Sequence, residues 1–448
     1  MIPKGGPGRA QLNSGFFAGM KHALLLAGWL AAVVAVPGPA TAQKAPLTRS
    51  QYQEDFDFLW NTIRTDYCYF DKKQTDWEQV RALYRPQLDT LSSRRAFVRV
   101  LENVLAELYD PHSGLGTNRL DSRRLVPTAT DVWAGFSNGR AVVQAVRPGF
   151  GAARSGVRPG MVLTAVDGVP VDEAIRPFLA RALRQPNAAA RDFALLQLLA
   201  GNHTQPRVWS LLSGTRAITA HPDATGMQLE NIDFPELLET RRLGNIGYIK
   251  INNSLGDNRL VPAFDSALTA LASTQGLVLD LRETPSGGNT TVARAIMGRF
   301  LKAEAAYQRH EQPTDPETNT RRAWLELVGP RGLRYPAPVV VLVGRWTGSM
   351  GEGLAIGFDA LGRATVVGTE MARLNGAIYS YRLPQSGIGF NIATERLYHV
   401  NGQPRENYRP PVYIDLKAAG AQPAAEDAAL TKALELLRPA KKPAKARS

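Results

Sequence analysis

One serine, one histidine and a pair of glycines carry the chemistry this chain can be expected to perform. Ser349 lies in Gly344-Arg345-Trp346-Thr347-Gly348-Ser349-Met350-Gly351-Glu352-Gly353, directly after the apolar run 339–343. The order reads as a strand, a small-residue turn and a helix starting near Met350. It leaves Ser349 exposed at a helix N-terminus, where free N–H groups and the helix dipole favour negative charge. A nucleophile that creates an oxyanion suits such a place, and so does an ordinary N-cap serine. The second segment is Asp280-Leu281-Arg282-Glu283-Thr284-Pro285-Ser286-Gly287-Gly288-Asn289, again a strand end running through a turn into a helix. Gly287 and Gly288 let the backbone approach a ligand closely. One N–H from this turn and one from Met350 would together make an oxyanion hole.

Histidine is the natural base near neutral pH. His112 stands in Tyr109-Asp110-Pro111-His112-Ser113-Gly114, a loop after a helix that proline stops. On its own it reads first as a loop histidine with a structural hydrogen bond. His22, His203, His221, His310 and His399 sit in no motif, and His399 is kept only as a reserve base. No His/Cys/Asp/Glu group has metal-ligand spacing and no phosphate-binding glycine loop occurs, so neither metal nor cofactor is expected.

The elements that must hold these residues follow from periodicity. From 47 to 116 the pattern is helical: Tyr52, Phe56, Leu59 and Ile63 recur after the cap candidates Thr48 and Ser50. A second helix starts at Asp76 with Gln79, and a third near Ser92 or Ser93 with Phe97, Leu101, Leu105 and Leu108 on its face. From 127 to 222 the chain turns to strands and Gly-rich turns, with strands at 141–146 and 161–166 and the hairpin dipeptide Asp167-Gly168. A helical stretch at 171–201 interrupts this region before a closing strand at 217–220. From 241 to 416 strands at 246–251, 277–281, 339–343 and 365–367 alternate with helices at 260–273, 289–302 and 350–361. That alternation argues for an α/β layered domain. Leu430, Leu434 and Leu437 mark a short final helix, and the Ala-, Pro- and Lys-rich end is expected to be disordered.

Composition narrows the class. With 448 residues, 44% hydrophobic and 21% charged, two or three globular domains are expected. Lys21 and His22, the apolar run 23–36 and Ala40-Thr41-Ala42 follow the order of a signal peptide, with cleavage after Ala42. The run is short for a membrane span. The mature chain is therefore expected in the periplasm or secreted, with no stable span. Cys68 is the single cysteine and reads as a buried structural thiol. The net charge of +13 is scattered and accompanies no nucleic-acid motif, so nucleic acid is not an expected partner.

Two resemblances extend this reading. The phrase "SGVRPGMVLTAVDGVPV" is similar to a PDZ domain, a module that takes extended peptides on a sheet edge. The order of helical region, PDZ-like module, "DLRETPSGG" and "TGSMGEG" resembles the tail-specific or C-terminal processing serine peptidases, whose catalytic core is tricorn-like. The resemblance runs from about 47 to 416. It implies that Ser349 attacks a peptide carbonyl and that Gly287 or Gly288 and the Met350 amide hold the oxyanion. One branch of the family uses a lysine some two dozen residues after the serine. The matching stretch, Gly368 to Gly376, has none, and Arg373 does not deprotonate. The tricorn-like branch uses a histidine from the helical region and a glutamate late in the core. His112 in "YDPHSG" and Glu406 in "NGQPRENYRPP" occupy those places, with Ser113 and Glu352 as supporting neighbours. A serine that precedes the histidine in the tricorn protease is Pro111 here.

The expectation is an α/β chain with a β-α spiral (ClpP/crotonase-like) core. The expected segments are a signal peptide (1–42), a helical domain (43–122), a PDZ-like domain with a helical insertion (123–225), the catalytic core (226–416) and a helix with a basic tail (417–448). The reaction would be cleavage of extended polypeptides near their C-termini through an acyl-enzyme on Ser349. An imidazole with the ordinary pKa near 6.5 implies loss of activity below about pH 6. The rivals are a peptide-binding protein on an inactive peptidase fold and an esterase or amidase. The sequence leaves the oligomeric state open.

Overall fold

The computed structural model describes residues 47–224, 234–315, 317–416 and 427–438. The expected signal peptide and disordered tail lie outside them. Among the described residues no helix is long and apolar enough to cross a membrane.

Helix α1 (Arg49–Asp66) starts at Thr48, whose side chain accepts from Gln51 N–H while Gln51 reaches back to the Thr48 N–H. Asp76 caps α2 (Trp77–Tyr84) and Ser93 caps α3 (Arg94–Ala106) in the same way, each accepting an N–H three residues on. The polypeptide then turns through the His112 loop into a two-residue strand, β1 (Gly114–Leu115).

The middle region forms an antiparallel sheet. Strands β2 (Val132–Ser137) and β3 (Arg140–Val146) lead through α4 (Gly151–Arg154) to β4 (Val162–Val166) and β5 (Val169–Pro170). Helices α5 (Val171–Ala174) and α6 (Ala188–Ala200) follow, then β6 (Trp209–Ser213) and β7 (Arg216–Ala220). The strand order is β2-β3-β4-β6-β7, with β5 beside β4. Asp167 and Gly168 both have positive φ, +50° and +80°, as a tight Asp-Gly hairpin turn requires. Leu195, Leu198 and Leu199 of α6 pack with Trp209 in the core of this sheet.

The third region runs β8 (Leu238–Leu243), β9 (Ile246–Ile251), α7 (Leu260–Ala270), β10 (Gly276–Asp280) and α8 (Thr290–Gly298). It continues with β11 (Ala305–Glu311), β12 (Ala323–Val328), β13 (Val339–Val343), α9 (Met350–Ala360) and β14 (Ala364–Gly368). The last strands are β15 (Ala377–Arg382), β16 (Gly389–Tyr398) and β17 (Val412–Tyr413). One sheet has the order β17-β14-β13-β10-β9-β8, parallel except for β8 against β9. Strands β10 and β13 are buried throughout, which is why both read as unbroken apolar runs. Alternate residues serve two cores. Leu277, Leu279, Val339 and Val341 meet α7, α8 and α9, while Val278, Val340 and Leu342 meet Ala429, Ala433 and Leu437 of the C-terminal helix Ala428–Leu437.

A second, antiparallel sheet was not foreseen: β1-β16-β11-β12, with β15 also on β16. Its strands hide in the sequence because polar residues such as Asn391, Thr394, Glu395 and Arg396 interrupt their apolar pattern. This sheet joins the N-terminal helices to the rest of the molecule. Phe390, Ile392 and Ala393 of β16 share one core with Phe56, Leu59, Phe97 and Leu101.

Candidate active site

Strands β10 and β13 are parallel neighbours, so the two turns at their C-terminal ends stand side by side. Backbone hydrogen bonds lock them together: Thr284 N–H to the Trp346 carbonyl at 3.0 Å, and Gly348 N–H to the Thr284 carbonyl at 3.1 Å. Ser349 has φ +49° and ψ −113°, a backbone state that non-glycine residues rarely take. It stands at the N-cap of α9, where the Glu352 side chain reaches back to its N–H in a capping-box arrangement. Gly287, with φ +67°, lies against it so closely that a Cβ there would meet Ser349 Cβ at 2.4 Å.

His112 reaches this serine from the N-terminal region. Its Nε2 is 3.1 Å from Ser349 Oγ, and its Nδ1 is 2.6 Å from the Asn375 carbonyl. A carbonyl only accepts, so the neutral ring carries its proton on Nδ1. Nε2 is then a free acceptor aimed at the serine hydroxyl. The loop is fixed by Asp110, buried at 1% exposure, which accepts from His112 N–H and from the Tyr67 hydroxyl at 2.8 Å. Burial of the ring, and then the nearby Arg405 cation, hold the His112 pKa below the ordinary 6.5, at about 4.

The glycine turn supplies fewer donors than its sequence offered. Gly287 N–H donates to the Thr284 carbonyl at 3.1 Å, so it is spent inside the turn. Among the described residues neither Gly288 N–H nor Met350 N–H donates a hydrogen bond, which leaves these two as the available pair. Gly287 serves by being small.

Glu406 differs from expectation. It does not bond His112; its Oε1 is 2.5 Å from Lys72 Nζ, and the Asn375 carbonyl occupies the place at Nδ1. The physical reason is local: the Lys72 ammonium draws the carboxylate, and His112 Nδ1 is already satisfied by a backbone carbonyl. Ser113 turns away as well, donating to Asp110 at 3.4 Å. His399 lies 3.6 Å from Asp359. Glu352 is fully buried, and its Oε2 accepts Ser349 N–H at 2.9 Å. Burial raises its pKa to about 7, against the opposing pull of Arg405 and of backbone N–H donors. Sequence reasoning missed Arg405, Asp110 and Asn375. Arg405 adjoins Glu406 in a phrase already singled out; Asn375 acts through its backbone, which side-chain identity does not reveal.

Strand, tight turn and helix in this α/β chain thus hold a strained serine in contact with an imidazole. Residues 245–414 match Peptidase family S41, and residues 48–106 match the Tricorn protease C1 domain. Both matched segments are similar to the tail-specific and tricorn-type proteases. A tricorn protease homologue of Streptomyces coelicolor is 26% identical over 348 residues, covering 71% of this chain and 26% of that protein. This chain thus spans about a quarter of that relative's length. Among solved structures, mature CPAF complexed with lactacystin has a TM-score of 0.55 at 15% identity, over 82% of this chain and 94% of that one. The photosystem II D1 C-terminal processing protease gives 0.52 at 19% identity, over 83% and 95%. At such identities the likeness concerns the fold.

Proposed function

We propose that this protein is a serine peptidase acting through an acyl-enzyme on Ser349. The observation that carries the reading is the 3.1 Å contact between His112 Nε2 and Ser349 Oγ beside the unused Gly288 and Met350 N–H groups. Oγ attacks the substrate carbonyl as its proton passes to Nε2, and the oxyanion settles between the two N–H donors. Collapse expels the amine, which takes the proton from Nε2. Water then repeats the sequence and frees Ser349. The Asn375 carbonyl does the orienting that a triad carboxylate does elsewhere, while Glu406 pairs with Lys72 instead.

We read the core as a β-α spiral and the sheet β2-β3-β4-β6-β7 as PDZ-like, presenting extended polypeptide near its C-terminus. The match of residues 245–414 to Peptidase family S41 supports the peptidase class. The pattern from Lys21 to Ala42 supports export to the periplasm or beyond. A binding protein without turnover is disfavoured, because such a protein has no use for a strained serine in contact with an imidazole.

The test is labelling of the purified protein with a fluorophosphonate probe. Labelling should occur in the wild type and vanish in Ser349→Ala and His112→Ala. A folded wild type that fails to label would sink the reading.

A further inference from the structure

Two buried side chains tie the Ser349 turn to the loop that holds His112. Glu352 Oε2 accepts Ser349 N–H at 2.9 Å and Leu374 N–H at 3.2 Å, while Oε1 accepts Arg373 N–H at 2.9 Å. Arg405 Nη1 donates to the Ser349 carbonyl at 3.3 Å. Its Nη2 donates to the carbonyls of Leu374 at 2.9 Å and Gly376 at 2.7 Å. The guanidinium is 4.0 Å from the Glu352 carboxylate, with side-chain exposures of 2% and 0%. Asn375, whose carbonyl receives His112 Nδ1, therefore sits between two residues gripped by Arg405.

From this arrangement we propose that Arg405 and Glu352 are a positioning pair that sets the distance and tautomer between His112 and Ser349. The proposal rests on the Ser349–His112 reading given above. A buried ion pair stabilises a fold little compared with apolar residues of equal volume. What this pair supplies is alignment, since its backbone partners belong to the nucleophile turn and to the histidine-holding loop. Arginine suits the place because its planar fork holds its N–H donors in fixed directions toward three carbonyls, which a freely rotating ammonium does not. Its charge has a further effect. The charged groups acting on His112 are Arg405, which disfavours the imidazolium, and Asp110, which favours it.

The experiment measures fluorophosphonate labelling against pH and probe concentration. It compares wild type, Arg405→Lys, Arg405→Gln and Glu352→Gln, each checked for folding by near-ultraviolet circular dichroism. Arg405→Lys and Glu352→Gln should label about 100-fold more slowly, as a misplaced base does. The loss should fall on the maximal inactivation rate and leave the half-saturating probe concentration unchanged. In Arg405→Gln the acidic limb should also move to higher pH, because the cation opposing protonation is gone. Folded variants that label at the wild-type rate overturn the proposal. So does slower labelling that falls only on probe affinity, or an unmoved limb in Arg405→Gln. If Arg405→Gln does not fold, the other two variants decide by rate. An unlabelled wild type withdraws the Ser349–His112 reading itself, a separate result.

Discussion

Arg147 and Glu283 join the middle sheet to the glycine turn through a buried, forked ion pair. Nη2 lies 2.7 Å and Nε 3.0 Å from Oε2, Nη1 donates to the Thr128 carbonyl at 2.9 Å, and the guanidinium sits over the Phe150 ring at 4.1 Å. The side chains are 1% and 11% exposed, so removing either partner strands a charge away from water. That costs about 3–5 kcal/mol. Arg147→Met and Glu283→Gln should each lower the urea midpoint, and the double variant should recover part of the loss. Strictly additive losses in the cycle would show that the two residues do not couple.

The pH dependence is expected to differ from that of an ordinary histidine enzyme. His112 must be neutral to accept the Ser349 proton, and its burial beside Arg405 brings its pKa to about 4. A base with a lowered pKa stays neutral as the solution is acidified. The acidic limb of kcat/KM should therefore lie near pH 4 to 5, lower than the pH 6 that an ordinary imidazole implies. The same shift makes acid destabilising. The unfolded chain binds a proton near pH 6.5 that the folded chain resists, so stability falls from there down to about pH 4. A limb at pH 6 to 7 would mean that the ring is solvated in the free enzyme.

Cys68 is a silent thiol by the same physics. It is 5% exposed, and burial pushes its pKa up to about 12, so almost no thiolate exists at neutral pH. A disulfide reagent should find no reactive thiol in the native protein and one after denaturation. Rapid native reaction would place Cys68 near the surface.

What was legible in the sequence followed burial on both faces. Strands β9, β10, β13 and β14 read out as apolar runs because each is covered by helices above and below. The glycine and proline punctuation placed Ser349, Gly287, Gly288 and His112 at element ends, and the fold brings these ends together. The antiparallel sheet was illegible because its strands mix core and polar faces, and β1 has only two residues. The orientation of His112 was illegible for another reason. Its acceptor is the Asn375 backbone carbonyl, which any residue could provide. Glu406, the acid that the family resemblance pointed to, is drawn instead to Lys72, a contact 334 residues apart in sequence.

Gly287 offers the sharpest separation of backbone strain from site geometry. A Cβ at Gly287 would lie 2.4 Å from Ser349 Cβ, 2.9 Å from Met350 N and 3.0 Å from Ser349 Oγ. Ser349 Oγ can rotate away, but Ser349 Cβ and Met350 N are fixed to the backbone, so the turn must move and carry Gly288 with it. Gly168 also has positive φ, +80°, but a Cβ there meets nothing within 4 Å. Alanine at either position carries a left-handed backbone penalty of about 1–2 kcal/mol. Gly287→Ala should in addition lower kcat by at least about 100-fold, as loss of an oxyanion donor does. Gly168→Ala should shift the melting temperature and leave kcat unchanged. Equal loss of activity in both variants would mean that general destabilisation, and not the contact between Gly287 and Ser349, governs turnover.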